Sequence, residues 1–118
     1  MRHRAINVFE EPACEYTCNI CILKLVVDAL GFDWDDANIR HIARHQVTPE
    51  EAEQVILNGP VEIDYQVIEG EERFVAVGMT SVGRFLTAVW TDRGGFIRIV
   101  TAFDSPEDDQ AVYLSARG

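Results

Sequence analysis

Lysine and long apolar runs are both nearly absent from this chain of 118 residues. Lys24 is the only lysine, and no apolar run approaches the roughly 20 residues that a membrane-spanning helix needs. The three cysteines all lie between positions 14 and 21, which is not the dispersed, even-numbered pattern of a disulfide framework. Glu10, Glu11 and Glu15 follow the start too closely for a signal peptide. We therefore expect a cytoplasmic protein with no membrane association.

Positive charge is also scarce. Ten basic residues stand against 20 acidic ones, so the net charge is −10. Such a chain does not bind nucleic acid or membrane surfaces by bulk attraction, and we expect no direct DNA binding. Any phosphate-binding site must rely on arginine, whose planar fork can hold two phosphate oxygens at once. The length and the 47% hydrophobic content suit one globular domain.

The order of sequence patterns predicts an α+β fold. A helix capped by Asp35 or Asp36 is expected to run to about His45, and Thr48-Pro49-Glu50-Glu51 marks the start of a second helix. A final short helix is expected after Ser105-Pro106. The predicted strands cover 61–65, 73–79, 84–91 and 96–103. We expect a small four-stranded antiparallel sheet with two N-terminal helices and one C-terminal helix, all packed against one face.

Cys14, Cys18 and Cys21 have a spacing that can hold an iron–sulfur cluster, and with His3 they approximate a Cys3His zinc site. The spacing is a weak signal in so short a chain. We favour a third interpretation, in which these are ordinary thiols in an N-terminal extension. No cofactor and no metal are expected.

The segment 40–45 carries the densest positive charge in the chain. Arg40 and Arg44, and likewise His41 and His45, are spaced four residues apart, so each pair lies on one side of a helix. The segment is either a surface for phosphate contacts or a solvated helix face. A His-x3-His pair can also bind a metal, but no distinctive third ligand accompanies it.

Arginines and aromatic residues recur in the predicted strands. Arg73, Arg84 and Arg98 lie on three neighbouring strands and either share a sheet face or mark exposed strand ends. Trp34 and Trp90 lie among apolar residues, so we expect them in the core rather than in a base-stacking platform.

An ordered series of motifs covers residues 32 to 113. It comprises Phe32-Asp-Trp-Asp-Asp-Ala-Asn38, Ile42-Ala-Arg-His45, Val47-Thr-Pro-Glu-Glu-Ala52, Gly70-Glu-Glu-Arg-Phe-Val-Ala-Val-Gly78, Gly83-Arg-Phe-Leu86, Arg93-Gly-Gly95, Arg98-Ile-Val-Thr-Ala102 and Tyr113. This series resembles the BrnT family of toxins from bacterial type II toxin–antitoxin systems.

The resemblance implies a RelE-like fold, a metal-independent endoribonuclease with RNA as substrate, and inhibition by a cognate antitoxin. On this interpretation Arg44 and Arg98 bind the scissile phosphate, His45 transfers protons, and Tyr113 assists. Asp109 matches an acidic position of the family and is a weaker candidate.

The chain departs from the family pattern in three places. Phe103 stands where the family has arginine, the last helix has Glu107-Asp-Asp-Gln-Ala111 in place of lysine and arginine, and the first helix ends in Arg44-His45-Gln46 in place of Lys-His-Gly. A degenerate member that only binds an antitoxin is therefore the alternative. The resemblance leaves out residues 1–30, which we interpret as an N-terminal extension, disordered or misannotated. Residues 31–118 are then the toxin domain.

Overall fold

The computed structural model describes residues 2–5 and 29–117, and this part of the chain contains six strands and three helices. In chain order they are β1 (Arg2–Ala5), β2 (Gly31–Trp34), α1 (Asp36–Ala43), α2 (Pro49–Leu57), β3 (Val61–Ile68), β4 (Glu71–Met79), β5 (Phe85–Arg93), β6 (Phe96–Asp104) and α3 (Glu107–Arg117). The α+β class is confirmed, as are two helices before the β3–β6 meander and one after it.

Both N-terminal helices begin at side chains that cap free backbone N–H groups. The carboxylate of Asp35 accepts hydrogen bonds from the backbone of Ala37 and Asn38, and the Asn38 amide oxygen accepts from the Asp35 backbone. Thr48 and Glu51 form the same reciprocal capping box at the start of α2. These caps are the reason why both helix starts were predictable from the sequence.

The sheet is larger than predicted. Its strand order is β1-β2-β6-β5-β4-β3, and the β2–β6 pair is parallel whereas the other pairs are antiparallel. The four predicted strands, β3 to β6, are antiparallel neighbours as expected, but the prediction missed two further strands, and one of these, β2, runs parallel to its neighbour β6. β2 has only four residues, fewer than the usual five or six of a strand, and it lies directly before the Asp35 cap of α1, so the sequence did not mark it as a separate strand.

Helices pack against both faces of the sheet, not one. Leu86 and Ala88 point into the main core with Ile42 of α1 and Val55 of α2. Neighbouring strand residues point the opposite way, where Tyr113 of α3 packs with Val61, Val77 and Phe85. Trp34 and Trp90 are buried in the main core, as expected. The prediction of a single covered face is wrong because the amphipathic patterns show which side of a helix is apolar, but not which face of the sheet receives it.

The N-terminal region was predicted to be an extension outside the toxin domain. The structure adds β1 within it, where Arg2–Ala5 pairs with β2 at the edge of the sheet. Cys14, Cys18 and Cys21 lie outside the described residues, so their interpretation stays a prediction. None of the described helices is both long and apolar enough to cross a membrane.

Candidate active site

An open groove at the β6 side of the sheet gathers three arginines and a histidine. It has a volume of about 250 Å³ and lies where α1 meets the first residues of β4 and the β5–β6 hairpin. We call it the arginine groove; its lining residues are Ala37, Asn38, His41, Glu71, Arg73, Arg93, Arg98, Ile99 and Val100.

Glu71 holds two of the arginines in place. Its carboxylate accepts hydrogen bonds from Arg73 Nε at 3.2 Å and Nη2 at 3.0 Å, and it lies 3.5 Å from Arg93 Nη2. The hydrogen bond from Arg73 lowers the pKa of Glu71, and Arg93 adds to the effect. Arg93 remains 53% exposed. Because a guanidinium carries five N–H donors, both side chains keep donors for a phosphate.

The third arginine is the most deeply placed. Arg98 contacts both carboxylate oxygens of Asp35, at 3.0 and 3.2 Å, and its side chain is only 13% exposed. The buried Asp33 carboxylate lies 3.7 Å away. The hydrogen bond from Arg98 is the main cause of the lowered pKa of Asp35. Asn38 donates to the Asp33 and Ile99 carbonyls, which ties α1, β2 and β6 together around this arginine.

A row of aromatic rings leads from the groove along α1. The rings of His41 and His45 lie 6.0 Å apart, and the ring of His45 lies 5.9 Å from that of Phe103 on β6. Both histidines are exposed. The groove and the exposed end of α1 are therefore one continuous surface that offers imidazoles and guanidiniums together.

The structure brings together some of the predicted site residues and separates others. Arg98 lines the groove, whereas Arg44 and His45 lie exposed at the other end of α1 and connect to the groove through His41. Tyr113 is a residue of α3 and is only 6% exposed. Its ring packs on Phe85 in the smaller core cluster.

The arginines of neighbouring strands divide into two sites. Arg73 and Arg98 share the groove. Arg84 instead binds Asp104 and Glu51 and donates to the Gln46 carbonyl, which fastens the α1–α2 turn to the sheet. Its hydrogen bond to Asp104 is the main cause of its raised pKa.

A family model described as "ribonuclease toxin, BrnT, of type II toxin-antitoxin system" matches residues 34–108, which is more than half of the chain. The chain belongs to the BrnT toxin family. No curated protein matches it significantly. The matched range includes all the lining residues of the arginine groove, as well as Arg44 and His45, but it ends before Tyr113.

Sequence reasoning missed two members of the groove in this BrnT-family chain. Arg93 was noted only within the motif Arg93-Gly-Gly95, and Glu71 only within the motif that begins at Gly70. Alternation along β4 and β5 places Arg73 and Arg93 on the same face as Arg98, since Thr91 pairs with Arg98. That signal needed the strand register, which the sequence alone did not provide.

Asp109 has a defined place as well. Its carboxylate accepts a hydrogen bond of 2.9 Å from the buried Thr87 hydroxyl, which also lies 2.9 Å from the Ser105 hydroxyl. The contact fixes the start of α3 on β5.

Among residues 2–5 and 29–117, no group of three or more histidine, cysteine or acidic side chains is placed to hold a metal ion.

Proposed function

We propose that this BrnT-family toxin is a metal-independent endoribonuclease and that the arginine groove binds the scissile phosphate. One observation carries the proposal: Arg73, Arg93 and Arg98 converge beside His41 in a chain whose net charge is −10. The carboxylates of Glu71 and Asp35 hold the guanidiniums in fixed positions, and a preorganised donor stabilises developing charge better than a mobile one.

The chemistry suits these side chains without a metal. RNA cleavage of this kind begins when a base removes the proton of the ribose 2′-hydroxyl, whose oxygen then attacks the neighbouring phosphorus. An acid protonates the departing 5′ oxygen, and a 2′,3′-cyclic phosphate results. Histidine changes its charge near neutral pH, so His41 and His45 are our candidates for the two proton transfers. The groove arginines stabilise the phosphorane, and Arg44 holds the adjacent phosphate of the strand.

Tyr113 has a different role in the proposal. Its ring is buried against Phe85, away from the groove, so we assign it to packing between α3 and the sheet. The family match supports a toxin and gives no support to a member that only binds an antitoxin. Residues 31–118 are the proposed functional domain.

A cognate antitoxin protein is the proposed partner, and the cytoplasm is the proposed location. Type II systems pair the toxin with a protein inhibitor, and the family description names such a system. We expect growth arrest when the chain is expressed alone and relief when the neighbouring antitoxin gene is expressed with it. Arrest that persists with every adjacent small gene would contradict the partner assignment.

The direct test is cleavage of a single-stranded RNA by the purified chain in EDTA, followed by analysis of the product ends. We expect cyclic phosphate ends. Arg93→Gln and His41→Gln should each slow cleavage by about tenfold or more, since each removes one positioned group. Both side chains lie at or near the surface, so the variants should fold.

Arg40→Gln is the matched control. Arg40 is an exposed arginine of α1 next to His41, but it does not line the groove, and its Nε donates to the Asp36 carbonyl within the helix. Its loss should leave cleavage within about twofold of the parent. The proposal fails if the parent chain is inactive in EDTA, or if Arg40→Gln and Arg93→Gln lose equal activity.

A further inference from the structure

The outer edge of β3 is open in the part of the chain that the structure describes. β3 is the last strand in the order β1-β2-β6-β5-β4-β3, and its other side pairs with β4. Such an edge presents free backbone N–H and C=O groups that an extended segment can use as a template.

Only half of this edge is protected. The register shifts between Glu62 and Asp64, and a bulge with charged residues is a common way to prevent unwanted strand pairing. From Tyr65 to Ile68 the pairing with β4 is regular, over about 13 Å of strand. The Tyr65 N–H already donates to Asp64 Oδ1 at 2.7 Å, so an added strand would pair with the backbone groups that follow it, up to Ile68.

The same half exposes apolar side chains. Tyr65 is 47% exposed, Val67 59% and Ile68 40%. Alternation places Tyr65 and Val67 on one face, where the Tyr65 ring lies 5.4 Å from the buried Phe74 ring. An added strand would therefore extend an existing aromatic contact of the core.

Charge decides which kind of segment fits. Acidic residues surround the edge, and the open depression beside it has Glu71, Glu72 and Asp92 in its lining. A second copy of the chain would bring the same acids and a net charge of −10 against them. RNA is excluded from this edge by the same repulsion.

We infer that the Tyr65–Ile68 edge binds the antitoxin through an extended segment that carries both apolar residues and lysine or arginine on the face it shares with Tyr65, Val67 and Glu72. The inference rests on the proposed function, because the partner is the antitoxin. The added strand supplies backbone hydrogen bonds, its apolar side chains cover Tyr65 and Val67, and its cationic side chains meet Glu72 and Asp92.

The test compares the same substitution, valine to lysine, at two positions. The full-length chain is titrated with the protein of the adjacent antitoxin gene, and affinity is measured by calorimetry for Val67→Lys, Val67→Glu and Val82→Lys. Val82 is 88% exposed in the β4–β5 turn, so it provides the same substitution away from the edge. Thermal unfolding and RNA cleavage are measured for each variant to show that fold and groove are intact.

We expect Val67→Lys to weaken binding by about tenfold or more, Val67→Glu by clearly less, and Val82→Lys by less than about twofold. Equal affinities for Val67→Lys and Val82→Lys would overturn the assigned edge. If Val67→Glu weakened antitoxin binding more than Val67→Lys, the inference that the bound segment is basic would be wrong. A dimer of the chain alone that Val67→Lys breaks would assign the edge to a second copy. If the parent chain itself does not bind the antitoxin, the proposed partner is wrong. The parent is therefore measured before any variant.

Discussion

At the scale of single residues, the most informative position is Phe103, where the resemblance to the BrnT family leads us to expect arginine. Its ring lies 5.9 Å from that of His45, on the surface that continues from the arginine groove. An apolar ring there cannot stabilise a phosphate, so under the proposed function the chain lacks one charged donor beside the groove.

Phe103→Arg should therefore raise the rate of RNA cleavage by about tenfold, which corresponds to roughly 1.4 kcal/mol of activation free energy. Single-turnover cleavage in EDTA measures the change, and Phe103→Met is the matched control because it keeps apolar bulk without charge. If the arginine and methionine variants cleave at the same rate, position 103 does not contact the scissile phosphate.

At the scale of helices and strands, the sequence predicted elements better than it predicted their arrangement. The capping boxes at Asp35 and Thr48 each join residues that are three positions apart, so the sequence alone predicts them. β2 was missed because it is only four residues long and lies directly before the helix cap Asp35. The sequence predicted only part of the groove, because the register of three strands decides whether Arg93 lies beside Arg73.

One close approach between elements depends on a glycine. A Cβ at Gly78 of β4 would lie 3.0 Å from Val55 Cγ1 and 3.1 Å from the Val55 carbonyl oxygen of α2. Gly78→Ala should lower the free energy of unfolding by about 1–3 kcal/mol, since α2 must shift away from the sheet. Urea denaturation measures the loss.

The companion variant is Val55→Ala, alone and combined with Gly78→Ala. Removing Cγ1 relieves one of the two contacts, so the double variant should be less destabilised than the two single losses added together. Strictly additive losses would show that the helix does not press on Gly78.

At the scale of the whole molecule, acidity acts on stability in two opposite ways. The net charge of −10 makes the folded chain repel itself at pH 7, so mild acidification relieves that repulsion. Against this, the pKa values of Asp35 and Glu71 are lowered in the folded protein by their arginine partners. Their contribution is present above the ordinary carboxyl pKa and is lost as the pH falls through the lowered values. The result should be a stability maximum on the mildly acidic side, with a steep decline below about pH 4.

Asp35→Asn separates the two effects. Asparagine is as good an N-cap as aspartate, so α1 keeps its start, whereas the ion pair with Arg98 is lost. We expect the variant to be less stable at pH 7 by roughly 1 kcal/mol, because the pair is only partly buried. Its deficit relative to the parent should shrink as the pH falls below the ordinary carboxyl pKa, because the contribution of the ionised Asp35 is lost as the pH approaches its lowered pKa. Denaturation curves at pH 7 and pH 3 measure this. The absence of a deficit at pH 7, or a deficit that stays constant between pH 7 and pH 3, would mean that the charge of Asp35 does not stabilise the fold, and that the Arg98 guanidinium is positioned by the neighbouring Asp33 instead.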